Sequence, residues 1–249
     1  LIMAIKTILN YSPNFSPKKR NTKQIKFIIF HYTGMKKESG AINRLTSIQS
    51  EVSSHYLIKN NGEIVTLVPD LYVAWHAGKS EWKNYKSLNK NSIGVEINNP
   101  GHEFIYKKFS NKQISSLLRL STFLIKKYKV NPRNILGHSD IAPYRKKDPG
   151  EKFPWKYLAK NRVGLWHTLS NKILKENRMI KIDRISKEYF LKDLFKIGYS
   201  KKNPKKIKKN KYLNFVVKAF QRRFRQELIN GKIDKECLLI SKNLLKQFH

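Results

Sequence analysis

Apolar residues fall along this chain in two rhythms. Through the first two thirds they come as short runs: "IKFIIF" at 25–30, "SIGVEI" at 92–97 and "NILGH" ending on His138. Compact runs rich in β-branched and aromatic residues, bounded by polar or turn residues, predict buried strands. The stretch "SSHYLIKNNGEIVTLV" predicts a hairpin, because Asn-Asn-Gly sits between two such runs. A helix is predicted over 110–128: Ser110 and Gln113 form a capping box, and Ile114, Leu117, Leu118, Leu124, Ile125 and Tyr128 fall on one face. From about 182 the period becomes helical throughout, in "SKEYFLKDLFKIGY", "YLNFVVKAFQRRFRQ" and "DKECLLISKNLLKQF". In the middle one, Phe215, Val216, Ala219, Phe220 and Phe224 keep helical spacing. The fold class this predicts is α/β, with a mixed central β-sheet flanked by helices and followed by a small three-helix domain. The expected units are 1–170, with an N-terminal extension over 1–22, then a polar helix-capable connector over 171–181, then 182–249.

Composition adds a charge problem. The chain carries 52 Lys+Arg against 17 Asp+Glu, a net charge of +35, yet 40% of it is hydrophobic, with 13 Phe, 12 Tyr and 4 Trp. That supports a packed core and excludes a disordered polycation. The charge predicts attraction to a polyanion, whether nucleic acid, anionic lipid or acidic wall polymer. A coding bias toward Lys, Asn and Ile would give the same surplus without a partner. Seven of the eleven residues 201–211 are Lys, which reads as a solvated basic linker. The lone Cys237 excludes an internal disulfide and any cysteine metal cluster. No apolar run reaches the roughly 20 residues of a spanning helix. The opening "LIMAIKTILNYSPNF" has neither a charged n-region nor a cleavage site, so no signal peptide is read from it.

The scarce acids cluster with histidine in "GHSDIAPYRKKDPG", residues 137–150. His31 ends one predicted strand, His138 ends another, and Asp148 closes a proline-bounded loop. Catalytic zinc takes three ligands from His and carboxylate, so these three are a possible His₂Asp site. On spacing alone, each histidine is as readily a hydrogen-bonded core residue. Asp140 is expected to hold its loop by side-chain to backbone hydrogen bonds. Glu96, between Val95 and Ile97, points to the opposite face of its strand. In an extended segment, Lys146 would project to the same side as Asp148, with Arg145 and Lys147 pointing away.

Five motifs, "FHYTG" at 30–34, "VSSHYLI" at 52–58, "AWHAG" at 74–78, "NSIGVEI" at 91–97 and "GHSDIAPYRKKDPG", stand in the order found in zinc-dependent N-acetylmuramoyl-L-alanine amidases. The chain resembles that group over roughly 20–170; the group also includes animal peptidoglycan recognition proteins. The resemblance implies one Zn²⁺ held by His31, His138 and Asp148, with Glu96 as general base and Lys146 steadying the oxyanion. It further implies Trp75 and His76 as groove-lining substrate contacts; from their own positions, Tyr32 is expected to line the floor beside the metal and Asn98, just after the "VEI" strand, to bond peptide carbonyls of the substrate. The third ligand, absent from non-catalytic recognition proteins, is present here as Asp148.

The segment "FVVKAFQRRFRQ…GKIDKECLLI" resembles a three-helix peptidoglycan-binding domain, although the Lys-rich insert departs from its usual spacing. Asp234 is expected to cap its last helix. The implied substrate is peptidoglycan or a muropeptide. The anionic envelope is an electrostatic partner, and no specific nucleic-acid partner is expected. A bacterial envelope location, periplasmic or secreted, is the expectation, with the cytoplasm left open. A non-catalytic peptidoglycan binder is the rival reading.

Overall fold

The computed structural model describes residues 5–200 and 207–248, so most of the predicted basic linker lies outside the described residues. The strands are β1 (Ile8–Leu9), β2 (Phe15–Ser16), β3 (Phe27–Tyr32), β4 (Tyr56–Ile58), β5 (Ile64–Thr66), β6 (Val73–Ala74), β7 (Glu81–Trp82), β8 (Tyr85–Lys86), β9 (Ser92–Ile97) and β10 (Ile135–Gly137). Six of them form the central sheet in the order β1-β5-β4-β9-β3-β10. Every pairing in it is parallel except the β4–β5 hairpin. The first of the predicted strands therefore starts two residues later than its apolar run and carries on through His31 and Tyr32.

The helices are α1 (Glu38–Thr46), α2 (Asn111–Tyr128), α3 (His138–Ile141), α4 (Trp155–Lys160), α5 (Asn171–Asn177), α6 (Arg184–Ile197), α7 (Lys209–Phe224) and α8 (Lys235–Lys246). The α2 capping box forms as read, with Gln113 N–H donating to Ser110 Oγ at 3.2 Å. Its buried face is rotated from the predicted one. Leu117, Leu120, Leu124 and Tyr128 are buried, while Ile114, Leu118 and Ile125 lie half-buried at the margin. Polar residues take further inward positions, two of them bonded to the loops at the sheet's end: Ser116 donates to Gly62 O at 2.6 Å and Gln113 to Asn98 O at 2.7 Å. The hairpin turn comes so close that a Cβ on Gly62 would lie 2.8 Å from Lys112 O.

Alternation along β3 sends its side chains to two different cores. Ile28 and Phe30, with Ile93, Val95 and Ile97 of β9, pack under α2 and α4. Phe27 and Ile29, with Leu136 of β10, pack instead against Phe190, Leu194, Phe220 and Phe224 of α6 and α7. The C-terminal helices are therefore the third layer over the sheet and share its core, and the boundary expected near 182 does not separate two cores. Within the connector, α5 buries Leu174 in that same core. The N-terminal extension is likewise built in: β1 is an edge of the sheet, β2 pairs with β6, and the Asn14 amide donates to Ser47 O and Val52 O.

Asp140 bonds its own loop as expected, accepting from Gly137 N–H at 2.8 Å. It also does something the sequence did not announce. Its carboxylate takes Arg223 of α7 at 2.7 Å and the Tyr199 hydroxyl at 2.8 Å, while Arg223 donates to Ile135 O at 2.8 Å and lies over the Trp155 ring. Asp140 is 1% exposed and Arg223 3%, so removing either partner leaves a buried uncompensated charge. Arg223→Met is expected to lower stability by about 3–5 kcal/mol in denaturant unfolding. Asp140→Asn combined with it should recover part of that loss.

Candidate active site

Register decides what meets at the carboxyl ends of the parallel strands, where open α/β sheets place their sites. Within β3 and β9, His31 pairs directly with Glu96. Gly137 of β10 pairs with Phe30 of β3, so the chain leaves β10 with His138 next to His31. Asp148 closes the following loop, fastened where Ser139 N–H donates to Asp148 O at 2.8 Å.

The three donor atoms converge. His31 Nδ1 and His138 Nδ1 are 2.9 Å apart, and Asp148 Oδ2 lies 3.0 Å from each. All three residues are buried. Zinc–ligand distances of about 2.0–2.1 Å at tetrahedral angles put donors roughly 3.3 Å apart, so this triangle is already close to one face of such a site. The donor chemistry fits a cation as well. His138 Nε2 faces Ala77 O at 3.2 Å, which can only accept, so a neutral His138 that donates there turns a bare Nδ1 inward, toward Asp148 Oδ2 at 3.0 Å. Burial and the neighbouring His138 push His31 down to about 4, which leaves it neutral and able to ligate near pH 7. Burial alone would raise Asp148, but the two imidazoles hold it well below the usual carboxylate range.

The triangle opens into a cleft of about 500 Å³ lined also by Tyr32, Trp75, Glu96, His102, Arg145, Lys146 and Lys147. Burial, aided by the Asp148 charge, raises Glu96 to about 8, with Lys146 pulling against them. Glu96 Oε2 is buried and has no hydrogen-bond partner among the described residues. A carboxyl poised near the working pH, with one oxygen uncommitted, suits proton transfer.

Residues 21–151 match the Amidase_2 family, N-acetylmuramoyl-L-alanine amidase. The chain belongs to that family. It is 33% identical over 237 residues to the amidase AmiD of Escherichia coli, covering 90% of this chain and 84% of the relative. The solved AmiD complex with the substrate anhydro-N-acetylmuramic acid-L-Ala-D-γ-Glu-L-Lys superposes with a TM-score of 0.78 at 34% identity, over 90% of both chains. AmpDh3 of Pseudomonas aeruginosa, in complex with an anhydromuramic pentapeptide, gives a TM-score of 0.78 at 29% identity over 94% of both. Among the described residues, no helix of this amidase is long and apolar enough to cross a membrane.

Several residues of the amidase sit differently from their sequence reading. Asn98 is buried outside the cleft lining, with its amide spent on Asn60 Oδ1 at 2.9 Å and its oxygen accepting from Thr33 at 3.1 Å. His76 reaches the cleft wall but is only 8% exposed, and both ring nitrogens face protein partners. Trp75 is half-buried in the wall, its indole N–H donating to Ser16 Oγ at 3.3 Å. The segment ahead of Asp148 is a turn, not a strand: Arg145 N and Lys146 N both donate to Ala142 O. Arg145 and Lys147 consequently line the cleft rather than point away, and Arg145 donates to Ala77 O and Lys79 O at 2.9 Å each.

His102 carried no signal in sequence because it lies in the irregular loop after β9. Its Nδ1 is 2.9 Å from the Tyr32 hydroxyl and its Nε2 2.9 Å from Glu151. That bond fixes the Tyr32 phenol, which burial and then the Asp148 charge raise to about 12. Its position just past the carboxyl end of a central strand was the available clue.

Gly94, between Ser92 and Glu96 on the same face of β9, carries the His76 ring against its backbone: a Cβ there would stand 2.4 Å from His76 Cγ. Gly94→Ala is expected to cost about 1–3 kcal/mol through overpacking. That should appear as a lower thermal midpoint, by roughly 2–4 °C per kcal/mol.

Proposed function

We propose that this amidase is zinc-dependent and hydrolyses the amide between the lactyl group of N-acetylmuramic acid, or its 1,6-anhydro form, and L-Ala of the stem peptide. The observation that carries the reading is the donor triangle of His31, His138 and Asp148 beside the unpartnered Glu96 oxygen, in one cleft at the carboxyl ends of β3 and β9. The substrates held by AmiD and AmpDh3 support a muropeptide as its occupant.

Bound by the triangle, zinc supplies Lewis acidity and positive charge where water attacks the amide carbonyl. Glu96 takes a proton from the attacking water and delivers it to the departing amine of L-Ala, so the acyl product leaves as a carboxylic acid. Lys146 lies close enough for its charge to act on both Glu96 and His31. Its ammonium offsets the negative charge that grows on the carbonyl oxygen, a contribution of about 3–4 kcal/mol for a well-aimed donor. Tyr32 and Trp75 bound the substrate's path along the cleft. The surplus of Lys and Arg holds the enzyme to an anionic envelope.

Two variants test the assignment. Glu96→Ala should keep about one zinc per chain while release of stem peptide from purified muropeptide falls by about 10²–10⁴-fold. Wild-type turnover in that variant would remove Glu96 from the mechanism. His138→Ala should lose both metal and activity, and an active zinc-free His138→Ala would end the zinc proposal.

A further inference from the structure

The dipeptide His76–Ala77 lies behind both histidines of the triangle, and proton accounting fixes what it does there. Ser92 Oγ lies 2.6 Å from Leu88 O. That carbonyl has no hydrogen to give, so the single hydroxyl proton of Ser92 points to it. Ser92 Oγ must then accept at its other contact, His76 Nε2, 3.1 Å away. A neutral imidazole has one N–H. With that proton on Nε2, His76 Nδ1 is an acceptor, and it faces His31 Nε2 at 3.0 Å. His31, whose Nδ1 also faces Asp148 Oδ2 at 3.0 Å, turns a bare Nδ1 to the centre when it donates its Nε2–H to that acceptor.

The backbone of the same dipeptide serves the other histidine, since Ala77 O faces His138 Nε2. The dipeptide is itself pinned. Asn89 Oδ1 accepts from His76 N at 3.1 Å and Ala77 N at 2.7 Å, while Gly94 leaves room for the ring.

We propose that His76 and Ser92 are positioning residues that lock His31 in the tautomer and orientation a metal needs, by a relay ending on Leu88 O. The inference rests on the zinc reading above and reassigns His76 from substrate contact to metal support. His138 reaches the same state through one bond to a carbonyl, whereas His31 needs two intervening side chains. Such outer partners typically carry about 10–100-fold in metal affinity.

The test compares wild type, Ser92→Ala, His76→Leu and His76→Asn, whose Oδ1 offers an acceptor near the position of Nδ1. Zinc affinity is read by chelator competition, the His31 tautomer by nitrogen-15 NMR of the metal-free chain, and KM on muropeptide separately. The expected result is His31 protonated on Nε2 in the wild type, zinc binding at least tenfold weaker in Ser92→Ala and His76→Leu, and a smaller loss in His76→Asn. Wild-type zinc affinity in Ser92→Ala and His76→Leu would overturn the proposal. So would a raised KM in His76→Leu with zinc affinity intact, which would return His76 to substrate binding. A wild type that takes up no zinc would sink the metal reading, and the tautomer measurement would still decide the relay: His31 protonated on Nδ1 refutes it.

Discussion

The pairing of β3 with β9 is the constraint on which the rest depends. Parallel register sets His31 beside Glu96 on one sheet face, and the same alternation sends Ile28, Phe30, Val95 and Ile97 to the other. Because side chains alternate with period two, a slip of one residue would bury the ligand and the carboxylate under α2 and expose the aliphatic face to the cleft. Some 0%-exposed side chains on both strands oppose that slip, so the geometry of the site is held by the burial of residues that never touch it. The face shared by His31 and Glu96 also holds Ser92, Gly94 and, one layer out, His76. Small residues there are what allow a second shell of imidazole to fit over a sheet.

The opposite end of the same face explains the C-terminal helices. Phe27, Ile29 and Leu136 are fully buried in a cluster to which α6 and α7 contribute Phe190, Leu194, Phe220 and Phe224. Arg223 adds an ion pair to Asp140, two residues past the ligand His138, and a bond to Ile135 O just before it. A buried ion pair is weak evidence for net stability, since desolvation offsets most of the attraction. Its geometry nevertheless fixes where the β10–α3 junction lies, and with it the approach of His138. The helical segment is thus part of the wall behind the His31–His138–Asp148 triangle.

Much of this was legible in sequence, for identifiable reasons. His31 and His138 were readable because short apolar runs end on them, and Glu96 because alternation between Val95 and Ile97 leaves it no choice of face. The reading of Lys146 reached the right cleft by the wrong route: it assumed an extended chain where Ala142 O closes a turn, and so dismissed Arg145 and Lys147. Amphipathic periodicity announced α6, α7 and α8, including the Asp234 cap, whose carboxylate accepts from Cys237 N–H at 3.0 Å. What periodicity states is that a helix buries one stripe, not the surface it is buried against. A helical bundle and a third layer over a sheet give the same pattern, and here the C-terminal helices share one buried cluster with the sheet. His102 and Asn98 sit in irregular loops, where no period constrains the direction of a side chain.

Folding and metal binding are coupled in a site built this way. The triangle sets two imidazole nitrogens and a carboxylate oxygen within about 3 Å of one another. Burying three polar donors together carries a desolvation cost, which their contacts with the Asp148 carboxylate offset in part. A divalent ion held by these three residues would offset that cost, and the unfolded chain, with them scattered over more than a hundred positions, has no equivalent site. Binding to the folded state alone stabilises it by about 2.7 kcal/mol when free metal is about 100 times Kd. That is comparable to losing or keeping a buried core side chain. The sheet therefore does more than present the three residues: hydrophobic burial on one face holds the donor set together on the other.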